Sequence, residues 1–350
     1  MRTLAELQGK VASGQPLQRE EIRDAIAALL GAEESDDTKA AFLTALARRG
    51  ETAEEIAGFA EELRARALDP GVDAARFGGV VLDVCGTGGD MSHTFNISSA
   101  VMFVVAAAGV AVAKHGNRAI TSRSGSADVL AALGARIELT PEQARRVLEQ
   151  AGVTFLFAPS FHPAFKAVAP VRKKLAEQKQ RTVFNILGPL VNPARPTHQV
   201  VGLFDRALVP RYAEVLRLLG VRRAFVVHGS GLDEFSTMGV NTVAEVWGDR
   251  IELTERDYTV PHTEPRLKPV SLAELAGGTP EQSAQIIRDI FRGQNRGPCR
   301  DIVLLNAAAA LVLTGRADDF RQGWDLAAEI VDSGRAHACL ERFVAATQSA

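Results

Sequence analysis

The sequence of 350 residues is poor in cysteine, has no excess of charge of either sign and holds no long unbroken apolar run. Its three cysteines, Cys85, Cys299 and Cys339, are an odd and widely spaced set. There is no CxxC pair and no His/Cys cluster with zinc spacing, which argues against a disulfide framework and a structural zinc site and fits a reducing cytoplasm. Lysine and arginine number 40 against 42 aspartate and glutamate, for a net charge of −2. A polynucleotide-binding surface usually makes a chain basic, so nucleic-acid partners are not expected. The longest apolar stretch, 97–113, is interrupted by Ser98, Ser99 and Gly109 and is too short for a comfortable membrane span. It reads as a buried helix, a turn at Gly109 and a buried strand. The opening Met1-Arg2-Thr3-Leu4-Ala5-Glu6 lacks the apolar core of a signal peptide. No internal repeat and no low-complexity linker is present.

What is there suits a globular protein: 46% hydrophobic and 23% charged residues. At roughly 150 residues per domain, the length predicts one large domain with a satellite, or two domains. The first part of the chain, to about residue 70, carries only helix signals. Thr3 with Glu6, and Thr52 with Glu55, have capping-box spacing. Ile22, Ile26, Leu29 and Leu30 form an apolar stripe, as do Ile56, Phe59, Ala60 and Leu63. After the turn Asp69-Pro70-Gly71 the pattern changes. Apolar strands are expected at 80–84, 110–113, 153–157, 183–186, 199–203, 224–228 and 243–247, with helices between several of them. Thr140-Pro141-Glu142-Gln143 and Thr279-Pro280-Glu281-Gln282 mark helix starts. Such alternation predicts an α/β sheet domain behind a helical one.

Several segments carry chemistry. Asp83-Val84-Cys85-Gly86-Thr87-Gly88-Gly89-Asp90 runs from a buried strand into a loop with three glycines. Glycines let successive backbone N–H groups converge on one anion, although the same loop can serve as an ordinary strand-to-helix turn. It is neither a Walker A loop nor a GxGxxG fingerprint. Thr94-Phe95-Asn96-Ile97-Ser98-Ser99 then opens a helix whose N-terminus suits an anion, and Ser98 or Ser99 a metal contact. Lys114-His115-Gly116-Asn117-Arg118-Ala119-Ile120-Thr121-Ser122-Arg123-Ser124-Gly125-Ser126 follows the second strand and reads as a phosphate cradle or a solvated polar loop. Asp233 and Glu234, after the strand 224–228, read as a Mg²⁺ site for a polyphosphate substrate or as an exposed acidic turn. Arg172 is either a carboxylate clamp or a surface cation beside Lys173. Phe161, Phe165 and Val168 read as core, and Asn185 to Pro193 as a rigid turn.

Taken together, Gly86 to Asp90, Thr94 to Ser98, Lys114 to Arg118 and Asn185 to Pro193 strongly resemble the anthranilate phosphoribosyltransferases of tryptophan biosynthesis. Gly231-Leu232-Asp233-Glu234 and Asp301 to Ala308 extend the likeness over nearly the whole chain. The resemblance implies a small all-helical N-terminal domain and a larger α/β domain with a central, mostly parallel sheet, as in the nucleoside phosphorylases and phosphoribosyltransferases. It places the helical domain at 1–70, joined by part of 160–182, and the donor-binding domain at 71–350, in a cytoplasmic homodimer paired through the helical part. It also implies the chemistry: anthranilate nitrogen joined to C1 of 5-phosphoribosyl 1-diphosphate, with Mg²⁺, releasing diphosphate.

By the same resemblance Gly86, Gly89, Asp90, Thr94, Asn96, Ile97, Ser98, Ser99, Lys114, His115, Gly116, Asn117, Arg118, Ala119, Ile120, Thr121, Ser122 and Ser126 bind the donor. Gly86, Asn117 and Arg172 contact anthranilate, and Ser98, Asp233 and Glu234 serve the metal. No single catalytic acid or base is named, because positioning and stabilisation of the leaving diphosphate are the main task. The chain departs from the family pattern in a few extra residues within 176–180, at Arg123 and at Met91. The competing readings are a pyrimidine nucleoside phosphorylase-like enzyme and a non-catalytic, nucleic-acid-binding relative.

Overall fold

The computed structural model describes residues 2–119, 123–260 and 263–350. The chain begins with four helices, α1 (Leu4–Ala12), α2 (Arg19–Leu30), α3 (Asp36–Arg49) and α4 (Ala53–Arg64). Both expected capping boxes form: Thr3 and Thr52 each accept the N–H of a glutamate three residues on, and each glutamate side chain answers the cap's own N–H.

Seven strands follow: β1 (Val81–Val84), β2 (Ala111–Gly116), β3 (Val153–Phe157), β4 (His198–Gly202), β5 (Arg223–Gly229), β6 (Val240–Trp247) and β7 (Arg250–Asp257). They form one sheet in the order β3-β2-β1-β4-β5-β6-β7. The first five run parallel, with Leu82 of β1 opposite Val112 of β2 on one side and His198 of β4 on the other. The β5-β6 and β6-β7 pairs are antiparallel. Between the strands lie α5 (Ile97–Ala107), α6 (Ser126–Ala132), α7 (Pro141–Ala151), α8 (Ala158–Phe161), α9 (Ala169–Glu177) and α10 (Val209–Leu218). After β7 come α11 (Pro280–Phe291), α12 (Pro298–Leu313), α13 (Phe320–Asp332) and α14 (Arg335–Ser349). The helix, turn and strand expected within 97–113 are α5, a left-handed Gly109 (φ 84°) and β2.

Alternation along the strands divides the core in two. Val200, Phe225, Val227 and Val243 join α5, α12 and α14 on one face. Val201, Ala224, Val226 and Ala244 join α10 on the other. The second cluster also takes in Phe42, Phe59 and Leu63 from the N-terminal helices and Val168, Val171 and Leu175 around α9.

Two strand expectations need correction. Residues Val183–Asn185 form a 3-10 turn, not the strand expected at 183–186. The place beside β1 is filled by β2 and β4. Val183 and Phe184 bury into the helical core instead, with Asn185 Oδ1 accepting the Thr182 N–H at 2.8 Å. Strand β7 was not expected, because its charged, partly exposed residues carry little apolar signal. That composition suits a sheet edge, where charge discourages pairing with another chain.

Candidate active site

Strand order places the site. From β1 the chain crosses to β2 and β3 on one side, then returns to β4 on the other side of β1. The loops leaving β1 and β4 therefore diverge, and a parallel sheet opens a crevice at such a switch point. The glycine loop leaves β1 there. Cys85 N–H donates to Val200 O at 3.1 Å and Thr87 N–H to Gly202 O at 2.9 Å, so the loop first continues along β4. Gly88 and Gly89 then take left-handed φ values of 66° and 80°. This reverses the chain at positions where an L side chain is strained.

The acidic pair reaches the loop from β5. Ser230 and Gly231 have φ of 50° and 96°, and Gly229 bridges Leu232 in antiparallel fashion. The residues between strand and acids are thus a tight reversal of the kind that favours positive φ at both central positions. It folds Asp233 and Glu234 back over the strand ends. Three glycines make room for them. A Cβ at Gly86 would overlap the Asp233 carboxylate, one at Gly202 the Asp233 main chain, and one at Gly229 the Glu234 carbonyl.

The pair is bonded to the other ligand segments. Gly88 N–H donates to Asp233 Oδ2 at 2.7 Å. Ser98 N–H, in the first turn of α5, donates to Glu234 Oε1 at 3.2 Å. Asp233 N–H donates to Asp90 Oδ2 at 3.4 Å. Burial and the neighbouring Asp90 charge push the Asp233 carboxyl up, and burial with the Asp233 charge pushes Glu234 up to about 8.

Lys114 lies beneath this cluster rather than in an open cradle. It is buried, and its ammonium donates to Val84 O and, at 3.1 Å, to Ser98 Oγ. It is the cation that partly offsets the Glu234 charge, a partner the bare sequence did not reveal. A buried platform holds the segment. His115 N–H donates to Asp83 Oδ1 at 3.2 Å, and Asn192 Nδ2 donates to Asp83 Oδ2 and Ala113 O, both at 2.8 Å. Asn117 and Arg118 are exposed. Arg118 pairs with Asp128 at 3.0 Å and lies over Phe157, while Ser126 Oγ donates to Asn117 O at 3.3 Å. Asn96 exchanges hydrogen bonds with Ser124.

Among the remaining donor-site residues, Gly116 and Ala119 line the same segment, and Thr94 forms an isolated bridge with Ala276. Ile97 and Ser99 turn their side chains into the core. Ile120, Thr121 and Ser122 lie outside the described residues.

Arg172, on α9, is half-buried, whereas Lys173 and Lys174 are exposed and Lys174 pairs with Asp37 at 2.6 Å. Burial lowers the Arg172 pKa, and no carboxylate offsets it among the described residues. Its guanidinium lies 5.4 Å from the Phe184 ring centre. From there a run of ring contacts leads back to the Lys114 segment: Phe184 to Phe165 at 6.0 Å, Phe165 to His162 at 4.9 Å and His162 to His115 at 5.2 Å.

Sequence reasoning gave no role to Arg181. Its guanidinium donates to Gly89 O at 2.7 Å and stacks 3.7 Å from the Phe204 ring centre, tying the segment after α9 to the glycine loop. A lone arginine after a polar run carries no local signal of such a contact.

Fold and site together are those of a glycosyl-transfer enzyme. The α/β domain of the glycosyl transferase family matches residues 78–337, and the family's helical bundle domain matches residues 5–67. An anthranilate phosphoribosyltransferase from Anaeromyxobacter sp. (strain K) is 48% identical over 338 residues, 97% of each chain. Another, from Anaeromyxobacter sp. (strain Fw109-5), is 52% identical over 308 residues, 88% of each. The crystal structure of the Thermus thermophilus anthranilate phosphoribosyltransferase aligns with a TM-score of 0.87 at 41% identity, covering 98% of this chain and 99% of that one. The Saccharomyces cerevisiae enzyme in complex with PRPP and Mg aligns at 0.86 and 28% identity, covering 99% and 98%. The chain belongs to the anthranilate phosphoribosyltransferase family.

Among the described residues no group of three or more His, Cys, Asp or Glu side chains is arranged to hold a metal ion. Asp233 and Glu234 nevertheless fit Mg²⁺. They are adjacent buried carboxyls held above their usual range by burial and repulsion, and a divalent cation between them would favour the ionised form that burial disfavours. Mg²⁺ commonly takes one or two carboxylates and completes its shell with water and substrate phosphate oxygens. No helix among the described residues is long and apolar enough to cross a membrane.

Proposed function

We propose that this chain transfers the 5-phosphoribosyl group of 5-phosphoribosyl 1-diphosphate to anthranilate, giving N-(5-phosphoribosyl)anthranilate and diphosphate, a step of L-tryptophan biosynthesis. The observation that carries this reading is the direct bonding of the acidic pair to both the glycine loop and the first turn of α5 at the sheet's switch point. The relatives' names and the yeast complex with PRPP and Mg support it. The comparisons do not favour the pyrimidine nucleoside phosphorylase or the nucleic-acid-binding alternative.

The donor's phosphates would lie against residues 86–90, Thr94, the 96–99 segment and residues 114–122 with Ser126. The Ser98 N–H at the start of α5 already serves Glu234 and the Ile97 N–H serves Phe95 O, so the helix would favour negative charge there chiefly through its dipole. Asp233, Glu234 and Ser98 would hold Mg²⁺, which when bound offsets charge developing on the departing diphosphate. Lys114 adds a fixed cation below, already oriented by Val84 O and Ser98 Oγ.

On the acceptor side, Arg172 would hold the anthranilate carboxylate, with Gly86 and Asn117 also contacting anthranilate. The amine is already neutral near pH 7, so orientation does the work of a strong base. We further take residues 1–70 with part of 160–182 as one body and 71–350 as the other, in a cytoplasmic homodimer without nucleic-acid partners.

Loss of anthranilate fluorescence on adding the donor and Mg²⁺ tests the reaction. Fluorescence that stays constant with fresh donor and metal would overturn it.

A further inference from the structure

Helix α12 is almost wholly apolar where it crosses the core, yet Asn306 sits within its run Leu304-Leu305-Asn306-Ala307-Ala308 and is buried. A buried amide is costly unless its polar atoms are bonded. Two of the three bonds of Asn306 leave its helix. Its Oδ1 accepts the Phe235 N–H at 2.9 Å, and its Nδ2 donates to Phe235 O at 2.8 Å and to Ile302 O at 2.9 Å. The side chain thus offers Phe235 the donor and acceptor that a neighbouring strand would offer.

The next residue is held in the same way. Asn241 Oδ1 accepts the Ser236 N–H at 2.6 Å, and Asn241 Nδ2 donates to Ser236 O at 3.0 Å. On the other side of the acids, Gly229 and Leu232 close the turn. The Phe235 ring is locked 5.9 Å from Phe225 and 5.6 Å from Phe320. Asp233 and Glu234 therefore stand on a short piece of chain that joins no sheet but is pinned at both ends. Asn306 also borders the small cavity lined by Gly86, Ser98 and Glu234.

Such pinning has a chemical use. Adjacent carboxylates beside Asp90 repel one another, and an unrestrained turn would swing them apart into water. A ligand pair set before the ion arrives avoids that reorganisation, and the groups that orient metal ligands commonly control affinity. We propose that Asn306 is a positioning residue of the transferase: by clamping Phe235 it fixes the main chain from which Asp233 and Glu234 reach the metal. This rests on the reading of those two acids as the metal pair.

The test uses the full-length enzyme and a preformed Mn²⁺–diphosphate complex, with binding read from the enhanced relaxation of water protons. Losing two buried hydrogen bonds at the clamp should make Asn306→Ala bind the complex about tenfold more weakly. The Mg²⁺ concentration for half-maximal activity should rise in parallel, with the KM for anthranilate unchanged. A purely structural role predicts a lower melting temperature with the Mn²⁺–diphosphate affinity of wild type, and that result overturns the proposal. Should Asn306→Ala not fold, Asn306→Asp keeps the side chain's size and the bond from Phe235 N–H while losing the donor to Phe235 O, and the same reading decides. Asp233→Asn with Glu234→Gln serves as reference. If that variant binds Mn²⁺–diphosphate as tightly as wild type, the metal-pair reading falls and the role of Asn306 falls with it. If only the Asn306 variants bind normally, the metal pair stands and the clamp does not.

Discussion

Gly88 N–H donates to the Asp233 carboxylate at 2.7 Å, across 145 residues of sequence. A backbone donor of the anion loop is thus held by one of the two side chains assigned to the metal. Glycine loop and acidic turn form one unit, so damage to either should appear in the behaviour of both.

Asp233→Asn with Glu234→Gln should remove most activity at ordinary Mg²⁺ while far-UV circular dichroism stays that of wild type. Both carboxyls are held above their usual range by burial and repulsion, so neutral amides should not weaken the fold and should raise the melting temperature of metal-free protein at pH 8. Wild-type turnover by this variant would make the pair an acidic turn and nothing more.

Gly86→Ala tests close approach with little backbone strain, since Gly86 is not among the glycines of positive φ. The added methyl would overlap the Asp233 carboxylate. Activity should fall at least tenfold and the Mg²⁺ requirement should rise. The same change at Gly88 strains the loop itself, because its φ is 66°. Kinetics of Gly86→Ala indistinguishable from wild type would show that the acids do not depend on this gap.

Arg172→Ala should raise the KM for anthranilate strongly and that for the donor little. A charge-assisted bond is worth about 1.5–3 kcal/mol, or roughly ten- to more than a hundredfold in affinity. The guanidinium is half-buried over Phe184 and, among the described residues, no carboxylate offsets its burial, so it remains available to an anionic ligand. Unchanged constants would move the acceptor pocket elsewhere, and the extra residues within 176–180 would become the next place to look.

Acid should destabilise the protein through its buried imidazoles. Burial lowers the pKa of His115 to about 3 and of His162 to about 4, from an ordinary 6.5. Below pH 6.5 the unfolded chain therefore binds protons that the folded chain refuses, and stability falls as pH drops. His162→Phe should remove its share, roughly 1 kcal/mol between pH 7 and 5.5. Denaturant melts of both proteins at the two pH values measure it. Equal acid sensitivity would mean that His162 takes up its proton in the folded state.

Much of the fold was legible because its signals are local. A capping box needs residues three apart, and Thr3 with Glu6 or Thr140 with Gln143 form one wherever the helix goes. The buried strands β1 to β5 stand out as apolar runs between turns. The segment 183–186 looked the same, but its apolar residues serve the helical core, and no local rule says which core an apolar run will join. Strand β7 carries no such local signal, because an edge strand need not be apolar. At the site, the glycine loop, the Lys114 segment and the acidic pair could be picked out by residue type, and Arg172 stood out as a possible carboxylate clamp. Arg181 and the clamp at Asn306 could not, since an exposed arginine or a lone asparagine in a helix acquires meaning only from what lies opposite.

By itself, the sequence determined which segments could carry charge, bind anions or bury, because those properties belong to side chains and short spacings. Tertiary structure decided which of them meet. The order β3-β2-β1-β4-β5 puts the ends of β1 and β5 on either side of β4. Glycine at 86, 202 and 229 lets the reversal after β5 settle there without overlap. Only that closeness joins Gly88 to Asp233, Ser98 to Glu234 and Asn306 to Phe235. A hydrogen bond acts over about 3 Å, so residues so far apart in the chain can share one only after the sheet has chosen its neighbours.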